Sequence, residues 1–324
     1  MSDSATRTDR LADYSRLIDT ETWNFIRESE RWYPPDTADA PIARQRAIYD
    51  AMCRAFHRGY PPGVTAHDEP LDGVPCRHYT LSAPTPAAAT VLYLHGGGFV
   101  VGGLESHDDV CAEICAATGY RVFAADYRLA PEHRHPAHFD DALTAARAVA
   151  RRHPGPLVLA GDSAGGALAA AVAHAARSTG PAIAGQVLVY PGLGGSPDRG
   201  SYLFHAKAPM LTRDDVLFYG RVRYDEGARP DQDPTAQPLS DTSFAGLPPT
   251  IVLVAECDPL ADDGAAYAAA ITGAGGQAHS RTEAGLVHGC LRARKTVARA
   301  RDCFARMNDA IGCLGRGDWP DWAA

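Results

Sequence analysis

Residues 161 to 166 read Gly-Asp-Ser-Ala-Gly-Gly, so that Ser163 stands among Gly161, Ala164, Gly165 and Gly166, neighbours with almost no bulk. The apolar run Leu157 to Ala160 before it fits a buried strand, and the stretch Ala164 to Ala176 after it is dominated by the best helix former. A serine on a sharp strand-to-helix turn has its hydroxyl pushed outward. The unpaired NH groups and the dipole at the helix start favour negative charge developing beside it. Nucleophilic attack is the chemistry this suits. A Gly-x-Ser-x-Gly run also arises by chance, so the reading needs partners for the serine.

A serine hydroxyl is a poor nucleophile until a base takes its proton, and the usual base is a histidine oriented by a carboxylate. After the strand-like run Ile251 to Ala255 comes Glu256-Cys257-Asp258-Pro259-Leu260. This sets Asp258 at a strand's carboxyl end, where ligands gather in open α/β sheets. An Asx turn or helix cap before Pro259 is its other use, and Glu256 and Asp262 are the substitute carboxylates. Of the thirteen histidines, only His288 follows the last strand, in Gly285-Leu286-Val287-His288-Gly289, read as a flexible loop before the terminal helix. His67 and His78 precede the core sheet, while His133, His135 and His138 crowd a polar loop and are expected to face solvent or cap its turns. Thr90 to Leu94 runs into His95-Gly96-Gly97-Gly98-Phe99, whose bare backbone NH groups suit the oxyanion that forms when a carbonyl is attacked. A phosphate-binding turn is the other use of three glycines, but neither a P-loop lysine nor a spaced G-x-G-x-x-G supports it.

These residues need a scaffold. From residue 90 strand-like runs near 90–94, 121–125, 157–160, 186–190, 250–255 and 278–282 alternate with helix-like runs near 107–118, 137–152, 164–177, 212–224, 262–274 and 291–311. The alternation predicts an α/β fold, a mostly parallel central sheet covered by helices on both faces through right-handed crossovers. Segments 191–211 and 226–249, rich in Pro, Gly, Ser and Asp, read as long connections with room for lid or rim elements.

Upstream, Leu11, Tyr14, Leu17 and Ile18 recur at helical spacing, and Trp23, Phe25 and Ile26 extend the apolar content until Pro34 and Pro35. A second amphipathic helix carries Ala47/Ile48, Ala51/Met52 and Ala55/Phe56 and stops before Pro61 and Pro62. Asp72-Gly73 then separates the two strands of a hairpin, and a Pro/Ala linker follows. Residues 1–62 are read as a helical cap region and 63–324 as the catalytic domain, with 191–249 contributing long connections open to joining the cap. The bulky Trp23, Phe25, Trp32 and Phe56 are expected to narrow the site beneath the cap.

With 324 residues the chain can bury a large core without disulfides or metals. Its net charge of −8 is spread along the chain instead of forming blocks, which argues against nucleic acid and anionic membranes as partners. The eight cysteines lack the paired spacing of a zinc site and are read as free thiols of a reducing cytoplasm. The N-terminal ten residues lack the apolar core of a signal peptide, and no run approaches the ~20 apolar residues of a membrane span.

Taken together, Tyr93-Leu-His-Gly-Gly-Gly-Phe99, Asp126-Tyr-Arg-Leu-Ala-Pro-Glu-His133, Gly161-Asp-Ser-Ala-Gly165, Tyr190-Pro191, Asp258-Pro-Leu260 and His288 resemble the hormone-sensitive-lipase family of α/β hydrolases, and within it the bacterial acetyl esterase and short-chain carboxylesterase branch. The resemblance implies an α/β-hydrolase fold and a serine carboxylesterase acting on a small ester through an acyl-enzyme, with no metal or cofactor. It also implies Ser163, Asp258 and His288 as triad, the NH groups of Gly97, Gly98 and Ala164 as oxyanion hole, and His95 bracing that loop, with Gly161, Asp162 and Gly165 supporting the serine. A homodimer is compatible with it. The triad does not choose the leaving group, so an amide, formamide or lactone hydrolase stays open. A ligand receptor is the reading from another class: plant hormone receptors resembling this family have lost the histidine, which is present here as His288. Two departures, Arg134-His135 and Cys290, stand where relatives carry an apolar or proline-rich turn and an aromatic residue, and bear on the shape of the substrate pocket.

Overall fold

The computed structural model describes residues 11–82, 89–225, 229–230 and 232–324. The N-terminal ten residues, most of the Pro/Ala linker and a few positions of the 226–249 connection lie outside the described residues. Eight strands form one sheet in the order β1-β2-β4-β3-β5-β6-β7-β8. They are β1 Val64–Leu71, β2 Val74–Leu81, β3 Thr90–Leu94, β4 Arg121–Ala125, β5 Leu157–Asp162, β6 Gly185–Val189, β7 Thr250–Cys257 and β8 Ala278–Val287. Every neighbouring pair from β4 to β8 is parallel, and only β2 runs against the rest. The hairpin read as preceding the core sheet belongs to it, because Cys76 to Tyr79 of β2 pair with Val122 to Ala125 of β4.

The central strands are buried on both faces, so their residues alternate between two cores. Val91, Tyr93, Val158, Ala160, Val187, Val189, Ile251 and Leu253 point to one. Leu92, Leu94, Leu157, Leu159, Leu188, Val252 and Val254 point to the other. This period of two explains why these strands read as continuous apolar runs. The first core is closed by α4 (Asp108–Thr118) and α10 (Ala298–Arg316), and the second by α5 (Ala137–Arg152), α6 (Ala164–Thr179) and α9 (Ala261–Gly273).

The N-terminal arm is two helices, α1 (Tyr14–Leu17) and α2 (Thr20–Glu30), because Asp19 caps the second: its carboxylate accepts from the Thr22 NH at 2.8 Å. α3 (Ile42–Phe56) follows and reaches across to the glycine loop after β3, where Arg46 donates to the carbonyls of Val100 (2.8 Å) and Ala130 (2.9 Å). The long connection after β6 holds a short α7 (Ser201–Phe204) and α8 (Arg213–Arg223). All eight cysteines are free and buried. No helix among the described residues is long and apolar enough to cross a membrane.

The expected terminal helix at 291–311 is instead a 3-10 turn, Cys290–Lys295, followed by α10. β8 also runs five residues past its expected end, so that Gly285 to Val287 are strand and His288 stands directly at its tip.

α6 crosses β3 so closely that a Cβ at Gly165 would overlap the Leu94 carbonyl oxygen. Gly165→Ala is therefore expected to lower unfolding stability by about 2–4 kcal/mol. Gly220→Ala, in open space inside α8, is expected to raise it by about 0.5–1 kcal/mol. Urea denaturation of the two variants against wild type measures both, and an equal effect would contradict the crossing geometry.

Candidate active site

Ser163 sits between β5 and α6 with φ 53° and ψ −121°, a left-handed backbone that a non-glycine residue adopts only when its surroundings impose it. Its NH donates to the Val189 carbonyl at 2.8 Å, which ties the turn to the end of β6. Its neighbours are buried while Ser163 itself is partly exposed.

Asp258 follows β7 and His288 follows β8, two adjacent parallel strands whose carboxyl ends lie together. His288 Nδ1 is 2.6 Å from Asp258 Oδ2, and His288 Nε2 is 2.8 Å from Ser163 Oγ. The second carboxylate oxygen of Asp258 accepts from the Leu260 NH at 2.9 Å, so the Asx turn and the histidine contact coexist in a side chain 1% exposed. Between Ala255 and Cys257 the β7–β8 pairing breaks register. There Glu256 accepts from the Gly285 NH at 2.7 Å, and Asp262 accepts from the Ser201 NH at 2.8 Å. Both substitute carboxylates are thus engaged elsewhere. The Tyr190 ring lies 4.8 Å from that of His288.

The loop after β3 turns back through positive φ at Gly97, Gly98 and Phe99. Among the described residues, nothing accepts from the NH groups of Gly97, Gly98 or Ala164. A Cβ at Gly98 would run into the ring of Tyr219, which lies over the loop from α8. His95 stacks on Tyr127 at 4.3 Å and 10°, and the Tyr127 hydroxyl donates to the His95 carbonyl at 2.6 Å.

Asp162, 2% exposed, joins the loop to the serine turn. Its carboxylate accepts from the Gly96 NH (2.9 Å) and the Tyr93 hydroxyl (2.8 Å), and stands 3.2 Å from His107 Nε2. Burial alone would raise its pKa, but the His107 charge and hydrogen bond, the Arg292 charge and the Tyr93 hydroxyl outweigh it and hold the carboxyl well below its usual range.

Several neighbours differ from the sequence expectation. His138, expected to face solvent or cap a turn, is fully buried on α5, where its Nε2 accepts from Arg223 Nε at 3.1 Å. That guanidinium lies 3.6 Å over the ring of Phe99 and so backs the glycine loop. His135 is also withdrawn from solvent, 3.0 Å from Asp233, and Arg134 pairs with Asp225, so this departure from the family pattern ties its turn to the 225–233 connection. Phe25 and Phe56, expected to narrow the site, pack against each other in the core at 5.4 Å, and Trp32 is 38% exposed. Cys290 is buried in the core beside Cys303. The aromatic ring over the loop is Tyr219, whose place in the helical run 212–224 carried no sequence signal.

Residues 91–292 match the family described by the alpha/beta hydrolase fold. The chain is 35% identical over 245 residues to carboxylesterase NlhH of Mycobacterium tuberculosis, covering 73% of this chain and 77% of that one. It is 34% identical over 236 residues to ethyl acetate hydrolase of Pseudomonas putida, covering 70% and 74%. A solved esterase of the bacterial hormone-sensitive lipase family superposes with a TM-score of 0.82 at 26% identity, covering 91% of this chain and 98% of that one. The chain belongs to the α/β-hydrolase fold family, in its hormone-sensitive-lipase-like branch.

The buried histidines of this region make stability sensitive to acid. Burial, then the charge of His107, pushes His95 down to about 4, and burial, then Arg223, pushes His138 down to about 2. Their folded pKa values lie below the unfolded value near ~6.5, so below that pH the unfolded chain binds more protons. Stability is full above pH ~6.5 and is lost as pH falls toward the folded values. Urea unfolding is expected to show a loss of roughly 2–4 kcal/mol between pH ~7 and ~5; a flat profile would contradict it.

Proposed function

We propose that the protein is a serine carboxylesterase that hydrolyses short-chain acyl esters through an acyl-enzyme on Ser163. The observation that carries this reading is the unbroken line Asp258, His288, Ser163, at 2.6 and 2.8 Å, ending beside three backbone NH groups with no acceptor among the described residues. In the proposed cycle Ser163 Oγ attacks the ester carbonyl carbon while His288 Nε2 takes its proton. The Asp258 carboxylate holds Nδ1–H and stabilises the imidazolium. The NH groups of Gly97, Gly98 and Ala164 receive the oxyanion. His288 then returns the proton to the departing alcohol. A water molecule activated by the same imidazole attacks the acyl-enzyme, releasing the acid and restoring the hydroxyl. These groups handle every proton and the developing charge, so the cycle calls on no cofactor. The names of the relatives, a carboxylesterase and an ethyl acetate hydrolase, support an ester substrate with a small acyl group.

The same reading makes α1 to α3 and the α7–α8 connection a cap over the serine. Each methylene buried in an open apolar channel is worth ~0.8 kcal/mol, roughly fourfold in binding, so an unobstructed site rewards longer chains steadily. The Tyr219 ring over Gly98 is the proposed stop.

Ser163→Ala is expected to lower kcat by ~10⁶ with the fold intact, and chelators to leave the wild-type rate unchanged. Across p-nitrophenyl esters from acetate to palmitate below their micellar concentrations, kcat/KM is expected to peak between acetate and hexanoate, and Tyr219→Ala to move the peak to longer chains. A wild-type profile still rising beyond decanoate would overturn the short-chain reading. A peak unmoved in Tyr219→Ala would remove Tyr219 as its cause.

A further inference from the structure

The β1–β2 hairpin carries three donors of a different kind at the far edge of the sheet. The antiparallel register places His67 directly opposite His78, and Glu69 lies two residues along β1. Side chains at i and i+2, and those directly opposite across an antiparallel pair, share one face. All three therefore project together. Glu69 Oε1 is 3.4 Å from His67 Nε2 and 3.2 Å from His78 Nδ1, and one donor atom from each residue lies within 4.8 Å of the other two.

We propose that His67, Glu69 and His78 form a zinc-binding site that clips β1 to β2. Donors held ~2.0–2.1 Å from a tetrahedral zinc ion stand about 3.3–3.4 Å from one another. The two edges through Glu69 already have that length. The third closes by rotation of His67, whose side chain is 61% exposed. His78 is the fixed half: it stacks on Phe123 of β4 at 4.1 Å and 14°, with its side chain 11% exposed. Arg152 approaches the other carboxylate oxygen of Glu69, at 3.6 Å, which leaves Oε1 for the metal. Two imidazoles and one carboxylate suit zinc and its borderline neighbours, whereas magnesium and calcium take oxygen donors. A water molecule completes the tetrahedron on the exposed side. The hairpin is separated from β5, the strand that leads into Ser163, by β4 and β3, so the ion holds an edge of the sheet and takes no part in turnover.

Isothermal titration of the tag-free full chain with zinc chloride tests this, with cobalt chloride as an optical probe of tetrahedral nitrogen and oxygen ligation. One equivalent is expected to bind, to give the visible absorption of tetrahedral cobalt, and to raise the thermal midpoint. His67→Ala and Glu69→Gln both alter side chains outside the core. Each is expected to weaken zinc binding by at least the roughly tenfold that losing a ligand's hydrogen-bond partner costs, and to abolish the thermal shift. His133→Ala, an exposed histidine elsewhere, is expected to bind as wild type. Absence of saturable binding, or equal affinity in His67→Ala and wild type, would overturn the site.

Discussion

The left-handed backbone at Ser163 is the constraint on which the rest of the structure depends. A non-glycine residue in such a conformation costs about 1–3 kcal/mol and survives only where its surroundings over-determine it. Here they do so from three sides. The Ser163 NH is held by the Val189 carbonyl, the first turn of α6 is pressed against Leu94 where only a glycine fits, and Asp162 is locked by Gly96, Tyr93 and His107. The Asp162 carboxylate also fixes the glycine loop relative to the serine, since one oxygen accepts from both Tyr93 in β3 and Gly96 just after it. A buried network of this kind rigidifies only when its members are satisfied, and here the end of β3 and His107 at the start of α4 both hold the carboxylate.

The other half of the geometry depends on two neighbouring strands ending in step. β7 and β8 are parallel partners, so the residues that follow them emerge side by side. The break in register at Ala255/Cys257, with Glu256 bound to the Gly285 NH, shifts one end against the other. Irregularities of this sort re-aim side chains at sheet ends. Asp258 and His288 emerge from it 2.6 Å apart.

Much of this was legible in the sequence, because strand ends and glycine runs carry strong local signals. Ser163 between an apolar run and an alanine run, Asp258 after β7 and His288 after β8 needed only the order of elements. What escaped reading depends on contacts remote in the chain. The sequence ends β8 at Thr282 because the charged Glu283 and the glycine Gly285 look like a loop, yet Glu283 is buried against Arg306 of α10. His138 looked solvated because its neighbours are polar, while the group it accepts from, Arg223, lies 85 residues away. The N-terminal aromatics looked like pocket walls because size alone is visible in sequence. Phe25 and Phe56 pack on each other, Trp23 lies against the same core, Trp32 is exposed, and the ring on the loop comes from α8.

The central claim is that Ser163 is activated by His288 held by Asp258, and the most direct measurement is where a p-nitrophenyl phosphonate becomes attached. Peptide mass spectrometry of the wild-type protein is expected to find one phosphonyl adduct, on Ser163, with the adduct forming far more slowly in His288→Ala. An adduct on a cysteine, or labelling of Ser163 at the same rate without the histidine, would contradict it.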